Sequence, residues 1–264
     1  MKKTVIVLLL SAIVVITLAA YFYASQKNAA SKVFKVYRIA HAGGEVKGVT
    51  YTNSYDALNL NLKKGFRYFE IDFSFTQDEH LVCLHDWQDN FKQSFGFSVK
   101  SKLTLAEYKR LVQEKSKFVK CTLDGLAVWM KENPSAYLVT DVKEDNYKAL
   151  KMVAEAIEDS ASRVIPQVYN PHEFKKVKEL GYKQIIWTLY RYSGNNESVL
   201  KWVDAFTPPF AITMPQHRGM TALPENLRKK GIPSYVHTIN AKKEKDTLLN
   251  TFHVSEIYTD FLAE

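Results

Sequence analysis

Three times along this chain a helix-forming stretch ends on a single glycine and gives way at once to residues that favour strands. Residues 60–64, Gly65 and 66–75 form one such unit; 173–180, Gly181 and 182–190 form another; 227–230, Gly231 and 232–240 form the third. Glycine beyond a helix adopts the left-handed conformation with no Cβ clash, so it ends the helix and turns the chain into a strand. Helix starts are equally legible at Ser54, at Thr104 with Glu107 as a capping box, and at Pro171. Strands are expected at 36–41, 68–75, 81–85, 137–142, 164–169, 184–190, 210–214 and 234–239, most of them rich in Val, Ile, Tyr and Phe. Eight strands alternating with helices predict an α/β chain closed into a (β/α)8 TIM barrel. A doubly wound open sheet is the competing arrangement. The link between the second and third strands is too short for a helix, and 86–136 is a long excursion, so the barrel is expected to be irregular.

The first thirty residues are of another kind. Residues 4–24 carry no charge and follow Lys2 and Lys3, and that length spans a bilayer core of about 30 Å. The segment leaves through Tyr21, Phe22 and Tyr23, bulky residues suited to a membrane interface rather than to signal cleavage. Residues 1–30 are therefore read as a single transmembrane anchor and short linker, with a cleaved signal as the alternative, and 31–264 as one domain. The positive charges flanking the span are nearly balanced; the short leading segment favours a domain outside the cytoplasm. Of the net charge of +8, Lys2, Lys3 and Lys27 belong to this segment, leaving 33 basic and 28 acidic residues in the domain. That mild excess suits an anionic substrate or an anionic envelope surface, and no basic run with interleaved aromatics points to nucleic acid. Cys83 and Cys121 are the only cysteines; both a thiol pair and a disulfide are open readings. Nothing in the sequence bears on oligomeric state.

Polar residues gather at the C-terminal ends of the expected strands, where barrel enzymes place their sites. His41 ends the first strand and His85 the third; Glu70 and Asp72 sit two apart on the second, and Asp141 and Lys143 two apart on the fourth. Alternation turns each such pair to one side of the sheet. In the opposite register Ile71 and Phe73 would face inward instead. Carboxylates facing into a barrel repel each other and lose hydration, and a divalent cation compensates both. Hard oxygen ligands suit Mg²⁺ or Ca²⁺. Asp78 and Asp86 are read as turn formers, and Gln167, Tyr169 and His237 as further candidates to line a pocket.

The run Glu70-Ile71-Asp72, then Thr76-Gln77-Asp78, then Val82-Cys83-Leu84-His85-Asp86 resembles the signature of the glycerophosphodiester phosphodiesterase family. Ile39-Ala40-His41-Ala42-Gly43-Gly44 is similar to its opening strand, and Tyr51-Thr52-Asn53-Ser54 stands at its first helix start. Thr140-Asp141-Val142-Lys143 matches its acidic-x-Lys strand, and Ile257-Tyr258-Thr259-Asp260 its closing segment. The resemblance covers nearly everything after residue 35. It implies a metal-dependent phosphodiesterase acting on a small anionic diester. Glu70, Asp72 and Asp141 would hold the metal, His41 and His85 would form the acid–base pair, and Lys143 would contact a phosphate oxygen.

Two positions depart from that pattern: Ala42 stands where the family has Arg, and Thr52 where it has Glu. Arg191, just past the sixth strand, is the candidate to replace the lost guanidinium as a phosphate clamp. Three functions are open to such a chain. It could hydrolyse a glycerol-type phosphodiester, cleave lipid headgroups as phospholipases on this barrel do, or bind envelope components without catalysis.

Overall fold

The glycines expected to end helices do so, with φ of 102° at Gly65, 95° at Gly181 and 71° at Gly231. The computed structural model describes residues 33–263, and Val36–Glu264 form one unit. The expected anchor at 4–24 lies outside the described residues; among those described, no helix is long and apolar enough to cross a membrane.

Nine strands form one sheet: β1 (Ile39–Ala40), β2 (Tyr68–Phe75), β3 (Leu81–Cys83), β4 (Tyr137–Val142), β5 (Val164–Val168), β6 (Ile185–Thr188), β7 (Phe210–Pro215), β8 (Ser234–His237) and β9 (Glu256–Thr259). All except β3 pair in parallel, and pairing of β1 with both β2 and β9 closes an eight-strand barrel. Helices Tyr55–Lys63, Leu123–Glu132, Asn146–Ala156, Glu173–Lys178, Asn196–Ala205, Leu223–Lys229 and Lys242–Asn250 make the crossovers. The (β/α)8 expectation therefore holds, and the open sheet is excluded by the β1–β2 pairing.

The identity of two strands differs from the sequence reading. The strand expected at 81–85 is not a stave of the barrel: β3 runs antiparallel to β2, as a hairpin whose turn has Thr76 N–H donating to His80 O at 2.8 Å. A parallel return needs a crossover of roughly a dozen residues, and the five between β2 and β3 cannot supply one. The eighth stave is β9, between β8 and β1.

The 86–136 excursion packs on this hairpin. Its helices Asp89–Phe95 and Leu105–Lys115 bury Trp87, Phe91, Phe95 and Tyr108 with Val82 and Leu84, a small core of its own. The Trp87 indole N–H donates to Phe75 O at 2.8 Å. A disulfide joins Cys83 to Cys121, which resolves the cysteine alternatives and ties β3 to the segment that leads into helix Leu123–Glu132. These contacts fix the direction in which the chain leaves β3, and thus the place of His85.

Candidate active site

β2 and β4 lie side by side in the register that sets Asp72 opposite Asp141. Ile71 and Phe73 join Leu58 in the apolar layer outside the sheet, so Glu70 and Asp72 turn the other way, into the barrel. The opposite register is excluded. One ligand atom from each of Glu70, Asp72 and Asp141 lies within 4.8 Å of the others.

Each carboxylate has fixed neighbours. The backbone N–H of Ala42 donates to Glu70 Oε2 at 2.7 Å. Asn53 grips Asp72 twice: its amide donates to Asp72 Oδ2 at 2.9 Å, and its carbonyl accepts from the Asp72 N–H at 3.0 Å. Asp141 accepts from the Lys143 ammonium and from the Tyr169 hydroxyl. Lys143 Nζ also lies 3.9 Å from Asp72 Oδ1. Burial, then the charges of Asp72 and Asp141, push Glu70 well above the ordinary carboxylate range; burial, then Asp141, raise Asp72. Glu70 Oε1 is buried and has no hydrogen-bond partner. A buried acceptor left unmade is costly. An all-oxygen set with one orphaned carboxylate oxygen fits a hard divalent cation.

The histidines flank this cluster. His41 follows β1 in a tight turn, His41–Gly43, in which Ala42 and Gly43 take φ of 48° and 83°. Gly44 continues at 88°, and a Cβ there would meet the Asn61 amide at 2.4 Å, so only glycine fits. Asn61 in turn donates to the carbonyls of Gly43 and Glu45, which fixes the turn. His41 Nδ1 lies 2.8 Å from Asp260 Oδ1, and His85 Nδ1 lies 2.7 Å from Asp86 Oδ2. A carboxylate at Nδ1 selects the tautomer that carries its proton there, leaving Nε2 to exchange protons. The Tyr51 ring stands edge-on to both imidazoles, at 4.4 Å from His41 and 5.6 Å from His85.

His41, His85, Asp141 and Lys143 line one cavity of about 200 Å³, together with Gln167, Tyr190 and His237. Burial, then the neighbouring His41, pull His237 down to about 4, so it is neutral at pH 7; its Nδ1 meets Thr213 Oγ1 at 2.9 Å. Arg191 is outside this set. It stands on the rim in an adjoining groove with His85, Asp86 and Lys143. There it donates to Lys143 O at 3.3 Å, its guanidinium 5.0 Å from the Tyr169 ring centre and 5.4 Å from that of Tyr190.

Four residues at the site were not given these roles by the sequence. Asp86 serves as the turn former expected of it, accepting from the N–H groups of Gln88 and Asn90 through Oδ1, while Oδ2 holds His85. Its adjacency to a strand-end histidine was the available signal. Asn53 lies directly before the Ser54 helix cap, and Tyr169, a candidate pocket residue by sequence, is the donor to Asp141. Asp260 is 219 residues from His41; it ends the segment that resembles the family's closing one, and nothing local pairs it with His41.

Residues 41–264 match the model of the glycerophosphoryl diester phosphodiesterase family. Comparison with curated protein sequences gives no match. Among solved structures the chain is similar to a glycerophosphodiester phosphodiesterase from Thermotoga maritima, with TM-score 0.67 and 20% identity over 86% of this chain and 95% of that one. It is similar to a glycerophosphodiester phosphodiesterase from Agrobacterium tumefaciens, with TM-score 0.64 and 14% identity over 86% and 96%. A phosphodiesterase from Oleispira antarctica, solved with the product sn-glycerol-3-phosphate, gives TM-score 0.65 and 17% identity over 85% and 93%.

Proposed function

The chain belongs to the glycerophosphoryl diester phosphodiesterase family, and from that premise we propose that it hydrolyses a small glycerol-type phosphodiester with a divalent metal, Mg²⁺ or Ca²⁺. Glu70, Asp72 and Asp141 hold the metal, and His41 and His85 share the proton transfers. The observation that carries the reading is the buried carboxylate cluster, with its orphaned Glu70 oxygen, between two histidines that each have an acid at Nδ1. A cavity of about 200 Å³ suits a glycerol headgroup better than a lipid, since pockets for larger ligands run to roughly 300–1,000 Å³.

When bound, the cation supplies Lewis-acid neutralisation of the phosphate charge. The chain's own residues do the rest. Lys143, kept protonated by Asp141 and Asp72 despite its burial, presents a cation to a non-bridging phosphate oxygen. One histidine accepts at Nε2 a proton from the attacking water, whose oxygen forms the new bond to phosphorus, while the other donates a proton from Nε2 to the departing alkoxide as its bond to phosphorus breaks. The products are a phosphomonoester and an alcohol. Lys143 lines the catalytic cavity and Arg191 does not, so Lys143 is the phosphate contact and Arg191 binds the part of the substrate that leaves along its groove.

Turnover of a glycerophosphodiester should require added Mg²⁺ or Ca²⁺, and full activity after exhaustive chelation would reject the metal assignment. Glu70→Gln keeps shape but not charge, so it should weaken metal binding in calorimetry and remove most of the rate. It should also stabilise the metal-free protein. A carboxyl whose folded pKa is raised costs stability as pH climbs from its unfolded value, about 4.3, through the folded one. The metal-free Glu70→Gln protein at pH 7 should therefore melt a few degrees higher, since about 1 kcal/mol is worth roughly 2–4 °C at this size.

The placement of the barrel outside the cytoplasm, behind an anchor at residues 4–24, is part of the same proposal. The Cys83–Cys121 disulfide supports it, because such bonds persist in oxidising compartments. Protease added outside intact cells should reach the barrel, and the full chain should stay with membranes through an alkaline wash.

A further inference from the structure

Tyr51 is common to the walls of two cavities, the catalytic one and a second of about 220 Å³. The second lies among residues 49–52, the helix Asp89–Phe95 and residues 116–120. Two lysines line it, Lys117 and Lys120, and no carboxylate does. Lys120 is 5% exposed, and its ammonium is buried with no hydrogen-bond partner. Burial pulls Lys120 down to about 8, against the pull of the Asp72 charge in the other direction. A buried ammonium with nothing to bind is strongly unfavourable, and an apolar side chain of similar volume would avoid that cost. The same cavity offers Thr50, Gln93 and Ser94, none of whose side chains is engaged among the described residues.

We propose that this cavity is a second oxyanion site, which takes a phosphate group separate from the one that reacts and divided from it by the Tyr51 ring. Two cations and several neutral donors suit a tetrahedral anion with several oxygens better than they suit a single carboxylate. The choice of phosphate rests on the phosphodiesterase reading; the existence of an anion site does not. Such a group has two sources. It is either a second phosphate on the substrate, which then bridges Tyr51, or free phosphate.

Calorimetric titration of the full chain with inorganic phosphate, in chelator, decides whether the site exists. Saturable binding is expected in the unmodified chain and in Glu70→Gln, and should weaken at least tenfold in Lys120→Met. Equal binding in Lys120→Met, or none in the unmodified chain, would overturn the site. If Lys120→Met does not fold, Ser94→Asp places a carboxylate on the half-exposed wall and should give the same loss. Kinetics then decide the source. For a bound second phosphate, Lys120→Met should lower kcat/KM at least tenfold for a glycerol phosphodiester bearing an extra terminal phosphate, and by less than twofold for one with a neutral alcohol. For free phosphate, adding it should change the rate on the neutral substrate in the unmodified chain and not in Lys120→Met. Failure to turn over either diester with metal present would reject the phosphodiesterase reading while leaving the phosphate titration to stand.

Discussion

His41 lies at the seam where β9 meets β1, and His85 on the loop that leaves the β2–β3 hairpin. Both present Nδ1 to an aspartate at nearly the same distance, yet the side chains of His41 and Asp260 are 11% and 9% exposed, against 31% and 28% for His85 and Asp86. The supports differ as well. Asp260 is held by the Asn240 amide at 2.6 Å, across the β8–β9 side of the seam. Asp86 is held by N–H groups two and four residues ahead of it. One dyad exists only because the barrel closes; the other is built from its own turn. The proposed mechanism asks the same Nε2 chemistry of both, and the unlike settings imply that the two will respond differently to damage.

The largest expected effects are those of removing the imidazoles. His41→Ala and His85→Ala should each lower kcat by roughly 10² to 10⁴, measured on a glycerophosphodiester with saturating metal. The sequence alone suggests that both variants keep their folding intact. The structure separates them, because His41→Ala leaves the Asp260 carboxylate buried without its imidazole partner. It should therefore melt below the unmodified protein, while His85→Ala melts close to it. Near-normal turnover in either variant would remove that histidine from the mechanism. Equal melting temperatures would mean that the seam dyad carries no structural load.

A smaller and more pointed contrast comes from the aspartates. Asparagine in place of aspartate can present its amide hydrogen to Nδ1 and so favour the wrong imidazole tautomer, a change that costs up to about 10⁴ in kcat in a buried serine-protease triad. Asp260→Asn should approach the upper part of that range, roughly 10² or more, since little water reaches the seam to restore the tautomer. Asp86→Asn should cost about tenfold, because His85 is near enough to solvent to recover it. Equal losses would show that exposure does not distinguish the two dyads during turnover.

The same contrast explains what the sequence could reveal. Glu70, Asp72, Asp141 and Lys143 were legible because alternation along a strand places residues two apart on one side, a relation written in adjacent positions. His41 and His85 were legible as strand-end histidines. Asp86 was hidden by its own success as a turn residue, since its two oxygens perform two tasks and composition announces only one of them. Asp260 was visible as the end of the family-like closing segment, but its pairing with His41 was hidden by 219 residues of separation. The fold shows the same limit. The helix-ending glycines marked the crossovers, but a short hairpin strand and a short final stave look alike as sequence, and only the five-residue link after β2 separates them.

The smallest expected effect belongs to Arg191, on the hairpin side of the mouth. A guanidinium that clamps the reacting phosphate should act in the transition state, so its loss should fall on kcat, and Arg191→Lys should fail nearly as badly as Arg191→Ala because the donor fork is gone. The observed position argues for a milder role. Arg191 stacks on Tyr169 and Tyr190, donates to the Lys143 carbonyl, and shares its groove with His85 and Asp86 rather than with Glu70, Asp72 and Asp141. An interaction with the outer part of a substrate is made alike in the ground and transition states, so it should appear in KM. Arg191→Ala is thus expected to lower kcat/KM by less than tenfold, chiefly through KM, with kcat nearly unchanged. A hundredfold fall in kcat in both Arg191→Ala and Arg191→Lys would mean that the guanidinium swings from the rim to the reacting phosphate, and that the hairpin side supplies the positive charge for which Ala42, at the seam, has no side chain.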